Sequence, residues 1–318
     1  MKAVVLKDGE IRFESTYPRP VPAKTDALIN VRLAGICATD LEMVHGYVSG
    51  FAGVLGHEFV GKVVQSGWRE WVGRRVVASI NIGCGRCAYC RRGVVEHCPE
   101  RQVPGIHSRD GVFAEQVLFP VRNLYAVPDE VSDEMAVFTE PLAAALRIRE
   151  QVRISPSMHT AVIGPGRLGL LVGQVLTLDG TRVTILGRSA DSLVLPAKLG
   201  LETGLAAELP PNQFDLVVEA TGNSSGLEEA MRLVKPLGTL VLKSTFAGGD
   251  PLNPTPLVVK EINVVGSRCG PFAPALRLLA AGAVDVTPLI EATYPLSAAA
   301  AAFAHAARRG VRKVLLQP

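Results

Sequence analysis

Ala161-Val162-Ile163-Gly164-Pro165-Gly166-Arg167-Leu168-Gly169 carries an apolar run straight into Gly-x-Gly-x-x-Gly and on into residues with helical spacing. Strand, glycine turn and helix in that order make the turn on which open parallel sheets hold the pyrophosphate of a dinucleotide. Gly164 permits the tight turn, and Gly166, beside Pro165, lets the backbone approach the pyrophosphate. Gly169 lets the helix pack on the strand, while Arg167 and Leu168 open a helix whose free amides face the anion. The motif alone also fits an ordinary strand-turn-helix, so its surroundings carry the weight.

Those surroundings repeat the pattern. Apolar strands are expected at 160–163, 182–186, 214–219, 239–242 and 263–265, with helices at 143–151 and 167–178. Strands alternating with helices fold into a doubly wound α/β parallel sheet. The second of these strands ends in Gly187-Arg188-Ser189, where an acid would ordinarily take the adenosine ribose hydroxyls. No acid stands there. Glycine leaves room and Arg188 offers a fork of donors suited to a phosphate, which points to NADP(H) in preference to NAD(H). The other reading is that Arg188 is solvated or stacks on adenine.

Before about residue 119 the texture differs. Short apolar runs at 27–33, 59–64 and 75–80, broken by Gly, Pro and Asp, read as strands of a β domain with few helix signals. After Cys269 come a helical stretch at 275–281, an apolar run at 284–290, an alanine-rich helix at 297–308 and a terminal strand at 313–316. The domains expected are 1–141, holding a metal lobe at 84–98, then 142–267, then a tail 268–318 that returns to the first.

Length and composition agree with two cores. The 318 residues exceed a usual single domain, and 48% hydrophobic with 20% charged content is that of a globular protein. Net charge is +3 with no long basic or acidic run, which argues against nucleic acid and membrane partners and for a small molecule. Residues 1–13 alternate like a strand rather than a signal peptide, and no apolar run reaches the ~18 residues of a membrane span. A cytoplasmic location is the expectation.

Four of the six cysteines, Cys84, Cys87, Cys90 and Cys98, fall in one short stretch. Such spacing closes four thiolates around one tetrahedral zinc, a structural site with no open position. Gly83, Gly85 and Gly93 ease the wrap, and Arg86, Arg91 and Arg92 are expected to offset the charge. An iron-sulfur cluster, a redox pair or a nucleic-acid ribbon are the alternatives. A second pair, Cys37 in Gly35-Ile36-Cys37-Ala38-Thr39-Asp40 and His57 in Gly56-His57-Glu58, is weaker, because a lone cysteine is usually core and a lone histidine often just hydrogen-bonded.

Taken in order, these segments, with Thr139-Glu140-Pro141-Leu142, Glu219-Ala220-Thr221-Gly222 and Gly266-Ser267, resemble the zinc-containing medium-chain dehydrogenase/reductase (alcohol dehydrogenase) superfamily, closest in motif to its sorbitol and glucose dehydrogenase branches. The resemblance spans essentially the whole chain. It implies a GroES-like β-barrel catalytic domain and a Rossmann dinucleotide domain, with Thr221 among the cofactor contacts. It implies a catalytic zinc on Cys37, His57 and Glu140, with Glu58 able to approach the metal. Thr39 matches the hydroxyl that passes the substrate proton onward, and Asp40 the acid that orients the ligand histidine. Glu42 stands where many relatives carry a relay histidine, with His45 a substitute, and the segment after His45, the turn at 65–73 and the stretch between Gly187 and Phe214 are shorter than usual. The implied function is an oxidoreductase with two zinc ions per chain, moving a hydride between an alcohol, polyol or sugar hydroxyl and NADP(H), in a homodimer or homotetramer. Rival expectations are a simple alcohol or aldehyde reductase of the same superfamily and a non-enzymatic NADPH-binding zinc protein.

Overall fold

The computed structural model describes residues 1–245 and 253–318. The chain divides into two compact units, Met1–Glu140 with Phe272–Pro318, and Pro141–Pro271.

The second unit is built on a six-stranded parallel sheet. Its spatial order is Glu202–Leu205, Arg182–Gly187, His159–Ile163, Phe214–Glu219, Val234–Leu242 and Asn263–Gly266. Leu216, Val217 and Val218 in the central strand are all at 0% exposure, because helices cover both faces of such a sheet and leave its middle no wet side. Helix Arg167–Thr177 buries Leu170, Leu171, Val172, Val175 and Leu176. The chain leaves His159–Ile163 toward one neighbour and returns on the other side as Phe214–Glu219. The glycine turn therefore sits where the strand order reverses, the place at which open α/β sheets bind ligands.

Three elements here differ from expectation. The strand expected at 239–242 belongs to Val234–Leu242, whose pairing shifts register between Phe214 and Leu216 of its neighbour. Pro236 and Gly238 read as turn residues, yet the sheet absorbs them at an irregularity where Leu237 takes φ 63°. The stretch after Gly187 holds a helix, Ala190–Lys198, and a strand, Glu202–Leu205, that no run in the sequence signals. Pro196 lies inside that helix, near its C-terminal end.

The first unit holds a seven-stranded, mostly antiparallel sheet and a three-stranded one. Strand Asp26–Gly35 is central, pairing antiparallel with Glu58–Ser66, Gln116–Pro120 and the terminal strand Lys313–Gln317. The tail thus returns as a strand of the N-terminal sheet. Phe59 stacks on Phe119 at 5.3 Å, and Phe113 meets Phe303 edge-on at 5.9 Å. Helix Ala299–Ala306 buries Ala299, Ala302, Phe303 and Ala306, the spacing of one helical face, inside the longer stretch expected at 297–308. A helix the residues do not advertise, Ala38–Val44, follows Cys37. Among the described residues no helix is long and apolar enough to cross a membrane.

Candidate metal centres and dinucleotide turn

Two paired strand ends assemble the first centre. Gly35 closes one strand opposite Glu58, which opens its neighbour, so Cys37 and His57 follow and precede adjacent positions of the sheet. Gly56 takes φ +91°, and a Cβ there would lie 2.4 Å from the Phe113 ring, so only glycine turns the chain into His57. Asp40 is fully buried. One of its oxygens accepts the Cys37 N–H at 2.7 Å, and the other lies 3.3 Å from His57 Nδ1, an ion-pair contact rather than an aligned hydrogen bond. Asp40 thereby joins the two residues flanking it in space and leaves Nε2 as the free ring nitrogen.

Ligand atoms of Cys37, His57 and Glu58 all lie within 4.8 Å of one another. His57 and Glu58 are buried and Cys37 half-buried. Burial alone would push the imidazole pKa down, but the Asp40 charge and the Cys37 sulfur outweigh it and raise it well above 6.5. Oε1 of Glu58 is buried without a hydrogen-bond partner. A thiolate, an imidazole and an orphaned carboxylate oxygen fit a divalent zinc, the borderline ion that takes S, N and O ligands together. Thr39 Oγ1 stands 3.9 Å from the Cys37 sulfur. Glu140, in the first turn of helix Thr139–Gln151, is half-buried and is not a member of this group. Glu42 and His45 are exposed. Sequence reasoning missed Lys313, which is fully buried and contacts Glu58 Oε2. Its only signal is a charge opening an otherwise apolar terminal strand.

Cys84, Cys87, Cys90 and Cys98 form the second group, again within 4.8 Å. The Cys84 N–H donates to Cys98 Sγ at 3.3 Å and the Cys90 N–H to Cys87 Sγ at 3.4 Å. A Cβ on Gly83 would lie 2.7 Å from the Cys90 sulfur. Amides of Arg86 and Cys87 pull the Cys84 thiol down to about 7, whereas desolvation and the neighbouring sulfurs push Cys90 up to about 11. Four thiols this close resist ionising together unless a cation joins them. None of the six cysteines is in a disulfide. The arginines serve mainly other partners: Arg86 pairs with Glu100 at 2.6 Å, Arg91 donates to the Arg86 carbonyl, and Arg92 lies over the Tyr89 ring.

At the glycine turn, Gly164 takes φ +105° and its Cβ would meet the Ala220 carbonyl at 2.7 Å. A Cβ on Gly169 would lie 1.9 Å from the Gly164 oxygen, so helix and turn touch backbone to backbone. Around Gly166, by contrast, there is open space, and the helix it caps begins with no side-chain cap at all. Uncapped amides beside a vacant approach fit a pyrophosphate. Pro165, Arg167 and Leu168 are half-buried. Gly187 is glycine for a different reason than room for a ligand: its Cβ would press on Ser192 Oγ at 2.5 Å and Leu193 Cδ2 at 2.9 Å. Arg188 is exposed and makes no hydrogen bond or ion pair among the described residues, and Ser189 caps the following helix without a side-chain bond. The Thr221 N–H and hydroxyl both donate to Glu219 Oε1, at 2.6 and 2.5 Å, so its side chain is engaged within its own turn.

A dinucleotide turn in a parallel sheet, and a metal group of mixed donors with a separate four-thiol lobe in the β unit, are together the equipment of a zinc-type dehydrogenase. The comparisons agree. Residues 23–129 match the alcohol dehydrogenase GroES-like domain and residues 168–281 the zinc-binding dehydrogenase domain. The sorbitol dehydrogenase of Halalkalibacterium halodurans is 32% identical over 345 residues, covering 100% of this chain and 99% of that protein. A Sinorhizobium meliloti 1021 protein described as a zinc-binding dehydrogenase, bound to NADP, superposes with TM-score 0.91 at 31% identity, covering 100% of this chain and 99% of the other. An Escherichia coli CFT073 protein described as a short chain alcohol dehydrogenase, complexed with NADH, gives 0.91 at 26% identity over 100% and 99%. The chain belongs to the zinc-containing medium-chain alcohol dehydrogenase superfamily.

Proposed function

We propose that this protein transfers a hydride between a hydroxyl of a polyol or sugar and NADP(H). The observation that carries the reading is the group of Cys37, His57 and Glu58 with its orphaned Oε1. These three residues would hold the zinc, Glu58 serving as the third ligand in the place that the family resemblance gives to Glu140. Zinc supplies Lewis acidity there, lowering the pKa of a substrate hydroxyl as it lowers that of water to about 7. The Asp40 charge beside His57 Nδ1 favours a proton on that nitrogen, which leaves Nε2 to offer. The Thr39 hydroxyl, beside the Cys37 sulfur, takes the proton that the substrate sheds and passes it on. Gly164, Gly166 and Gly169 let the backbone hold the nicotinamide dinucleotide.

Arg188, exposed and unengaged at the end of its strand, supports a preference for the 2′-phosphorylated cofactor. The polyol assignment draws support from the sorbitol dehydrogenase relative. Turnover against a panel of polyols, aldoses and aliphatic alcohols tests it: activity on polyols or sugars is expected, and activity confined to small aliphatic substrates contradicts it. We also propose a homodimer or homotetramer. Among the described residues the strand Asn263–Gly266 ends its sheet with Val264 42% exposed, and Val258 and Val259 of the helix before it, Thr255–Val259, are 72% and 76% exposed. Light scattering that returns a monomer mass would refute it.

A further inference from the structure

Lys313 has no task in the chemistry above. Its side chain and that of Glu58 are each 1% exposed, and its Nζ contacts Oε2 of that carboxylate. Burying a lysine is costly unless a partner of opposite charge meets it with good geometry. The fold makes room for the pair: a Cβ on Gly35 would lie 2.8 Å from Glu58 Oε2 and 3.2 Å from Lys313 Cδ. The Phe138 ring lies 5.6 Å from the ammonium. The two oxygens of Glu58 consequently differ. Oε2 is taken by Lys313, whereas Oε1 is buried without a hydrogen-bond partner, on a carboxylate grouped with Cys37 and His57.

We propose that Lys313 is a positioning residue that claims one oxygen of Glu58, so that the carboxylate can offer a bound zinc ion only the other. This rests on zinc occupying Cys37, His57 and Glu58. The charges follow the same logic. A Cys37 thiolate, Asp40 and Glu58 bring three negative charges to the buried group; a zinc ion brings two positive charges and Lys313 the third. Without the lysine, the full carboxylate charge would bear on the metal, both oxygens could turn to it, and the position meant for substrate would close. Lys313 thus weakens metal binding in order to keep that position open.

The test uses full-length, zinc-loaded protein and competition with a chromophoric chelator to read the affinity of the weaker of two zinc sites. Lys313→Met keeps the stem and removes the charge. It is expected to bind that zinc at least about tenfold more tightly, because an uncompensated buried carboxylate attracts a cation more strongly. Its cobalt-substituted form should show a changed visible spectrum, because a second carboxylate oxygen would take the position that the wild type leaves open. Lys313→Arg, which retains the charge, should stay within about threefold of wild type. Adding Glu58→Gln to Lys313→Met should abolish the gain. Lys313→Met binding zinc as weakly as wild type, or more weakly, with an unchanged cobalt spectrum, would overturn the proposal. If that variant does not fold, Lys313→Gln carries the same comparison and the same two outcomes. A wild type that holds a single zinc, in the four-thiol lobe, would instead remove the metal centre on which both this proposal and the assigned function depend.

Discussion

Cys37 and His57 show what single residues reveal before any fold is known. Each sits beside a glycine and an acid, and those neighbours have separate duties: Gly56 is required by Phe113, and Asp40 binds the Cys37 amide while facing His57. Such local clusters are legible because their members are a few residues apart. Lys313 is illegible for the opposite reason, since its partner Glu58 lies 255 positions away and a lone lysine in an apolar strand makes no pattern. Gly187 was legible as glycine but not in its cause, which is contact with Ser192 and Leu193. Arg188 belongs to this scale too. With Gly187 kept, Arg188→Asp is expected to weaken NADPH binding about tenfold or more beyond its effect on NADH, because a carboxylate repels the 2′-phosphate and accepts from ribose hydroxyls. Fluorescence titration of both cofactors reads the ratio, and equal weakening would reject the assignment.

At the scale of elements, the strands of the parallel sheet were visible because burial on both faces makes their central residues a continuous apolar run. Helix Ala190–Lys198 was hidden by Pro196, and the first part of Val234–Leu242 by Pro236 and Gly238, because tertiary pairing overrides local preference there. Helix Ala38–Val44, at 7 residues, is too short to show a period. The turn and its helix meet at Gly169, where Ala has no space against the Gly164 carbonyl. Gly169→Ala is therefore expected to displace the turn and weaken dinucleotide binding by about 1–3 kcal/mol, readable by calorimetry; unchanged affinity would show that the turn does not hold the cofactor.

Three strand starts are tied together by Asp215, which accepts the His159 N–H at 2.8 Å and Lys235 Nζ at 2.8 Å. Burial would raise its pKa, but these donors outweigh that and hold it below 3.8. A depressed carboxylate stabilises the fold above its unfolded value, and that stabilisation is lost as pH falls through its folded one. Asp215→Asn should thus cost about 1 kcal/mol at neutral pH, discounted for partial exposure, and progressively less in acid. Urea midpoints of the two proteins between neutrality and acid test this, and a difference that grows in acid would contradict it.

For the whole molecule, the tail does more than complete a sheet. Strand Lys313–Gln317 pairs with Asp26–Gly35 and brings a buried cation to Glu58, so residues 255 positions apart meet beside Cys37 and His57. In the function proposed, the four-thiol lobe, with every ligand site taken by sulfur, would serve structure, whereas the three-donor group would have capacity left for a substrate. This division is the central claim, and a metal count on the purified protein tests it most directly. Two zinc ions per chain are expected, one of them removable by a chelator together with NADP-linked polyol oxidation while circular dichroism stays native. One zinc per chain, or activity that survives removal of the labile ion, would contradict it.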